Sequence, residues 1–118
     1  MTQLSTTTRS IAAGPVLELA GELDFHTAPQ VKALLPDIGL EPGQQLTVDL
    51  AALTFCDSSG ITVLIAARNY ALAAHATIAL VAVPDMVSRM FAIVGLDKVF
   101  PVHPTAHAAE SAWQSSAG

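Results

Sequence analysis

Between Gln45 and Ala74 the hydrophobic period changes once. Leu46, Val48 and Leu50 alternate with Gln45, Thr47 and Asp49, the period-two pattern of a half-buried strand. From Ile61 to Ala74 the apolar residues recur at helical spacing, with Ile61, Leu64, Ile65 and Leu72 forming the core stripe. The segment Thr54-Phe55-Cys56-Asp57-Ser58-Ser59-Gly60-Ile61 joins the two, so it reads as the end of a strand, a tight loop and the head of a helix that opens on two hydroxyls. A helix N-terminus carries unpaired N–H groups and about half a unit of positive charge. A serine there can accept a phosphate at little electrostatic cost, and the phosphate then changes what the surface can bind.

The flanking segments repeat this alternation. Thr2–Ser10 is a frayed lead-in or an edge strand, and Gly14-Pro15 marks a turn. Val16–Ala20 is a short strand. A helix follows with Thr27 as N-cap, Pro29 in its first turn and Gln30 at the capping-box position. Val31, Leu34, Leu35 and Ile38 form its core face, and Pro36 ends its regular hydrogen bonding. Ile78–Val83 is a continuous apolar run, as expected of a strand covered on both faces. Pro84 opens a helix with Val87, Phe91 and Val94 inward; Gly95 closes it, with Leu96 folding back onto Phe91. Val99–Val102 is a last strand, Thr105–Trp113 an Ala-rich helix, and residues 114–118 a loose tail. Alternating strands and helices imply an α/β fold with a largely parallel sheet and right-handed crossovers. The functional loops should then gather beyond the strands' carboxyl ends, bringing Asp24, Asp57, Ser58, Ser59 and Asp85 together.

Bulk properties exclude several functions. At 118 residues the chain is one domain, and 52% hydrophobic with 13% charged residues makes it globular. No apolar run reaches the roughly 18 residues of a membrane span. The first ten residues lack the apolar core of a signal peptide, which points to the cytoplasm. A net charge of −5, with five scattered Lys and Arg, disfavours direct DNA binding. The single cysteine, Cys56, excludes an internal disulfide; it is either a reactive thiol or a small buried hydrophobe, and the usual burial of free cysteine favours the second. The four histidines form no metal-ligand set, and no Gly-rich phosphate loop or Gly-x-Ser-x-Gly elbow is present. No cofactor, metal or catalytic residue is assigned, and the chain is not expected to be an enzyme.

Three stretches in order resemble the STAS domains of bacterial anti-sigma factor antagonists. They are Gly21-Glu22-Leu23-Asp24 followed by Thr27-Ala28-Pro29; Asp49-Leu50 followed by Phe55 to Ile61; and Leu80 to Pro84 with Arg89 and Gly95 to Phe100. The resemblance covers about residues 15 to 105. It implies a mixed, mostly parallel sheet of four or five strands and about four helices, layered mainly on one face. It implies a partner that is both an anti-sigma factor and a serine kinase, bound by the unphosphorylated form so that a sigma factor is freed. The kinase phosphorylates the first serine of Asp-Ser-Ser-Gly, here Ser58, which switches binding off, and a phosphatase reverses it. The alternative within the family is an unphosphorylated subunit of a larger assembly, stressosome-like or lipid-transporting. Departures are Ile61-Thr62 where many members carry Leu-Gly, His75 where glycine is common, and Val94 in place of Thr or Ser.

Ser58 is thus the acceptor and Ser59 the second candidate. Asp57 either only caps the helix or also positions the phosphoryl chemistry. Gly60 admits the partner backbone or fits a crowded turn. Asp24 and Asp49 support the phosphorylation loop or serve ordinary turn and strand-end roles. Thr62, Ala66, Asn69 and Ala73, a small and weakly polar stripe, form the partner face with Met86, Arg89 and Ile93 of the next helix. Monomer and weak dimer are both open.

Overall fold

The structure, a computed structural model, describes residues 3–117. Five strands form one sheet in chain order: β1 (Leu4–Ile11), β2 (Gly14–Leu23), β3 (Gln45–Cys56), β4 (Thr77–Val81) and β5 (Val102–His103). The helices are α1 (Ala28–Leu34), α2 (Ser58–Ala73), α3 (Asp85–Ile93) and α4 (Ala106–Ala117). β1 pairs antiparallel with β2, and every other pairing is parallel. Residues 4–10 take the edge-strand alternative; Met1, Thr2 and Gly118 lie outside the described residues.

Each parallel step moves one strand in the same direction across the sheet. Right-handed crossovers then place α1, α2 and α3 on one face. The core shows the result: Leu17, Leu19, Leu46, Val48, Leu50, Ile78 and Leu80 meet Val31, Ile61, Leu64, Val87 and Phe91. Helix α4 follows the last strand and returns across the other face. Its Ala106 and Ala109 pack on Ala79 and Val81, so β4 is covered on both sides, as its unbroken apolar run predicts. The Glu110 carboxylate accepts the Ala13 N–H at 2.9 Å, and Trp113 Nε1 donates to the Gly43 carbonyl at 3.1 Å. Residues 114–117, expected as a loose tail, are instead the last turn of α4.

β3 is longer than the alternation suggests. It continues past Leu50 to Cys56, because β3 twice has one residue more than β2: between Asp49 and Ala52 opposite Glu18 and Ala20, and between Leu53 and Phe55 opposite Gly21 and Glu22. Each bulge shifts the side-chain phase by one. The buried residues therefore run Leu50, Leu53, Cys56, a spacing of three that hides the strand from a period-two reading. β4 stops at Val81, in register with Asp49, and β5 begins only at Val102.

The helix ends follow local chemistry. Pro36 sits in a 3₁₀ turn, Leu35–Asp37, that finishes α1. Gly95 has φ +77°, and the Leu96 N–H donates to Phe91 O at 2.8 Å, the backward bond expected there. α2 closes the same way: Ala76 N–H to Ala71 O at 2.9 Å, with His75 at φ 60° in the position glycine usually fills. Leu72, assigned to the core stripe, is 47% exposed; Ala67 and Ala71 are buried in its place.

Candidate functional site

β3 delivers the chain to α2 with one intervening residue. Asp57 is the N-cap, in extended conformation, and Ser58 is already the first helical residue, so there is no loop between the elements. Asp57 Oδ1 accepts the N–H groups of Ser59 at 2.8 Å and Gly60 at 3.3 Å. Two of the N–H groups that a helix N-terminus would otherwise leave unpaired are thus already used by the cap. Ser58 is exposed, while Ser59 is half-buried.

The neighbouring β2–α1 turn locks onto this corner. The Asp57 N–H donates to Leu23 O at 3.2 Å. Asp24 is buried, and its Oδ1 accepts from the N–H of His26 at 2.9 Å and of Thr27 at 3.1 Å. Thr27 Oγ1 accepts the Asp24 N–H at 2.9 Å and donates to Glu22 O at 2.8 Å. Asp24 and Thr27 thus cap one another's backbone, whereas Thr27 makes no cap bond to α1. Gln30 is not a capping-box residue; its amide ties α1 to the edge strand through Leu4 O at 3.1 Å.

Gly60 is buried and faces inward. A β-carbon there would lie 2.5 Å from Cys56 Sγ, 2.9 Å from Leu23 Cγ and 3.0 Å from Leu23 O. Its smallness serves the crowded turn within the molecule, one of the two roles expected for it. Burial, then the adjacent Asp57 carboxylate, push the Cys56 thiol up to about 11. It stays protonated at neutral pH, which removes the reactive-thiol alternative.

Asp49 and Asp85 do not join the cluster. Asp49 lies seven residues before Cys56 in extended chain, roughly 20 Å at about 3.3 Å per residue. Its Oδ1 accepts the Ala51 N–H at 2.9 Å and so serves the first bulge. β4 ends at the level of Asp49, so the turn to Asp85 leaves the sheet there and not beside Ser58. The common-edge rule assumes strands of equal length, and β2 and β3 run well beyond β4.

On α2, Thr62, Asn69 and Ala73 are exposed, and Ala66 is half-buried against the core. On α3, Arg89 is exposed, Ile93 is 84% exposed, and Met86 packs partly on the core. The two helices are successive crossovers on one face. A groove of about 370 Å³ runs between α1 and α2 beside Ser59, lined by Phe25, Ala28, Pro29, Lys32, Thr62 and Val63. Sequence reasoning missed Phe25, which is 74% exposed, and Lys32. The available signal was a lone aromatic among polar turn residues, between Asp24 and His26.

A family model described as "Mlab, STAS domain" matches residues 6–102. The chain is 31% identical over 84 residues to the anti-sigma-B factor antagonist of Listeria monocytogenes, covering 71% of this chain and 74% of that one. It is 30% identical over 92 residues to the anti-sigma-F factor antagonist RsfB of Mycobacterium tuberculosis, covering 78% and 75%. The crystal structure of an anti-sigma factor antagonist from Mycobacterium paratuberculosis superposes over 95% of both chains, with a TM-score of 0.79 at 29% identity.

Proposed function

Because the chain belongs to the STAS-domain family of anti-sigma factor antagonists, we propose that it binds an anti-sigma factor that is also a serine kinase, frees a sigma factor in the cytoplasm, and is switched off by phosphorylation of Ser58. The supporting observation is the placement of Ser58: exposed, first in α2, on a helix already capped by Asp57. A kinase can reach the hydroxyl without unfolding the turn, and no core contact depends on it. Ser59, half-buried beside the groove, is the poorer acceptor.

Phosphorylation adds about −1.5 to −2 charge at this corner. Asp57 already occupies the N–H groups of Ser59 and Gly60, so the phosphate gains little from the helix end and stands beside the Asp57 carboxylate. The new charge stays in water in the free protein. A partner seated on α2 must strip that water, which costs several kcal/mol. Each ~1.4 kcal/mol is tenfold in affinity, so binding falls by two decades or more. Thr62, Ala66, Asn69 and Ala73, with Met86, Arg89 and Ile93, supply the low-charge surface that the partner covers, and Phe25 extends it past Ser59 toward α1. A phosphatase acting on phospho-Ser58 restores binding.

Among the described residues no helix is long and apolar enough to cross a membrane. The test is a pull-down of the kinase with Ser58→Ala and Ser58→Asp, alongside mass spectrometry after incubation with kinase and ATP. Ala should retain the kinase and Asp lose it, with phosphate on Ser58 alone in the wild-type chain. Equal recovery by both variants rejects the switch. An unmodified Ser58 in a chain that still binds favours the alternative of an unphosphorylated subunit in a larger assembly.

A further inference from the structure

At the end of the sheet remote from Ser58, a crevice of about 560 Å³ lies beneath the C-terminal half of α4, within the roughly 300–1,000 Å³ range of small-molecule sites. Separate elements wall it: the starts of β3 and β4, the α2–β4 turn, the approach to β5, and α4. Ala76, Ile78, Pro101 and Ala112 make an apolar slot. Trp113 closes one side, and its indole N–H is already bonded to Gly43 O, so its ring is held as a preformed wall.

Three polar features mark the lining. Gln45, which lines the crevice, is 6% exposed, and its Oε1 has no hydrogen-bond partner among the described residues. Buried amide oxygens are nearly always paired. His75 stands at the rim with φ 60°, a backbone region that side-chain-bearing residues seldom occupy. That backbone closes α2, and the residue is exposed beside the crevice. His103, from β5, places a second imidazole in the lining, and no Asp or Glu lines the crevice although the chain carries a net charge of −5.

We propose that this crevice binds a small planar aromatic carboxylate bearing a ring hydroxyl or N–H. The ring fills the slot against Trp113, the carboxylate accepts from the imidazoles of His75 and His103, and the Gln45 amide, whose oxygen is sealed in the free protein, turns into the slot to accept from the ring donor. The site is independent of the Ser58 switch.

The chain has one tryptophan, so a single indole cross-peak reports on the crevice in ¹H–¹⁵N spectra of the full protein. Titration with 6-hydroxy-2-naphthoate should shift that peak and the Gly43, Ala76 and Ile78 amides saturably, with Kd below about 1 mM, and leave the Ser58 amide unmoved. 2-Naphthoate, lacking the donor, and the methyl ester, lacking the charge, should each bind about tenfold more weakly. His75→Gly should raise the melting temperature, because glycine accepts this backbone, while weakening binding about tenfold. His103→Ala should weaken it similarly. An indole peak unmoved at saturating ligand overturns the site. Equal affinity for acid and ester, or undiminished binding by His75→Gly, overturns the assigned chemistry.

Discussion

Gly60 sits where a β-carbon has no room. Leu23 O and Cys56 Sγ close on it from the strand ends, and the former is backbone that cannot swing aside. Gly60→Ala should therefore destabilise the protein by about 1–3 kcal/mol, read as a lower urea midpoint at unchanged slope. The loss should appear in the free protein and be equal with and without a partner; a loss seen only in the complex would return Gly60 to the interface. The need for a small residue here was visible in the sequence, but its direction was not. A glycine one residue past two serines looks the same whether the close neighbour is a partner or Leu23, thirty-seven positions earlier in the chain. The same holds for Asp24: its type announced a turn, and only the fold showed that it pairs with Thr27 and braces the corner that holds Ser58.

At the scale of elements, two helix ends were legible, those at Asp57 and Gly95, whereas the cap expected of Thr27 on α1 is not made. The caps at Asp57 and Gly95 depend on contacts within about four residues, and those residues were adjacent in the sequence. β3 was the least legible. Its bulges set the inward residues at Leu50, Leu53 and Cys56, a pattern that arises only from pairing with β2. The two acidic residues at opposite ends of this strand's second half separate local from functional roles. Asp57→Ala removes a helix cap and should cost about 1 kcal/mol and slow phosphorylation, since Ser58 then heads a frayed turn. Asp49→Ala frees one bulge N–H and should cost about 0.5–1.5 kcal/mol with phosphorylation unchanged. Denaturation midpoints and phosphate incorporation, measured on the same two variants, check both. An Asp49 variant that folds but is phosphorylated slowly would place Asp49 back in the switch.

For the whole molecule, the switch demands a change in binding without a change in fold. Ser58 is exposed and makes no core contact, so Ser58→Asp should shift the unfolding free energy by no more than about 0.5 kcal/mol, the usual range for surface substitutions. Thermal unfolding of the variant alone checks this. A large drop in melting temperature would mean that loss of the partner reflects loss of structure. By itself the sequence determined the alternation of strands and helices, the mostly parallel sheet, a serine at a helix head and the caps at Asp57 and Gly95, because each is written in the period or chemistry of nearby residues. Tertiary structure alone decided that β4 ends seven residues below Cys56, which removes Asp49 and Asp85 from the site, and that Phe25 comes to flank it. It also decided that α4 crosses the opposite face and encloses a crevice there. These depend on strand register and on which surfaces meet across the chain, and such long-range pairings leave no periodic trace in the residues that make them.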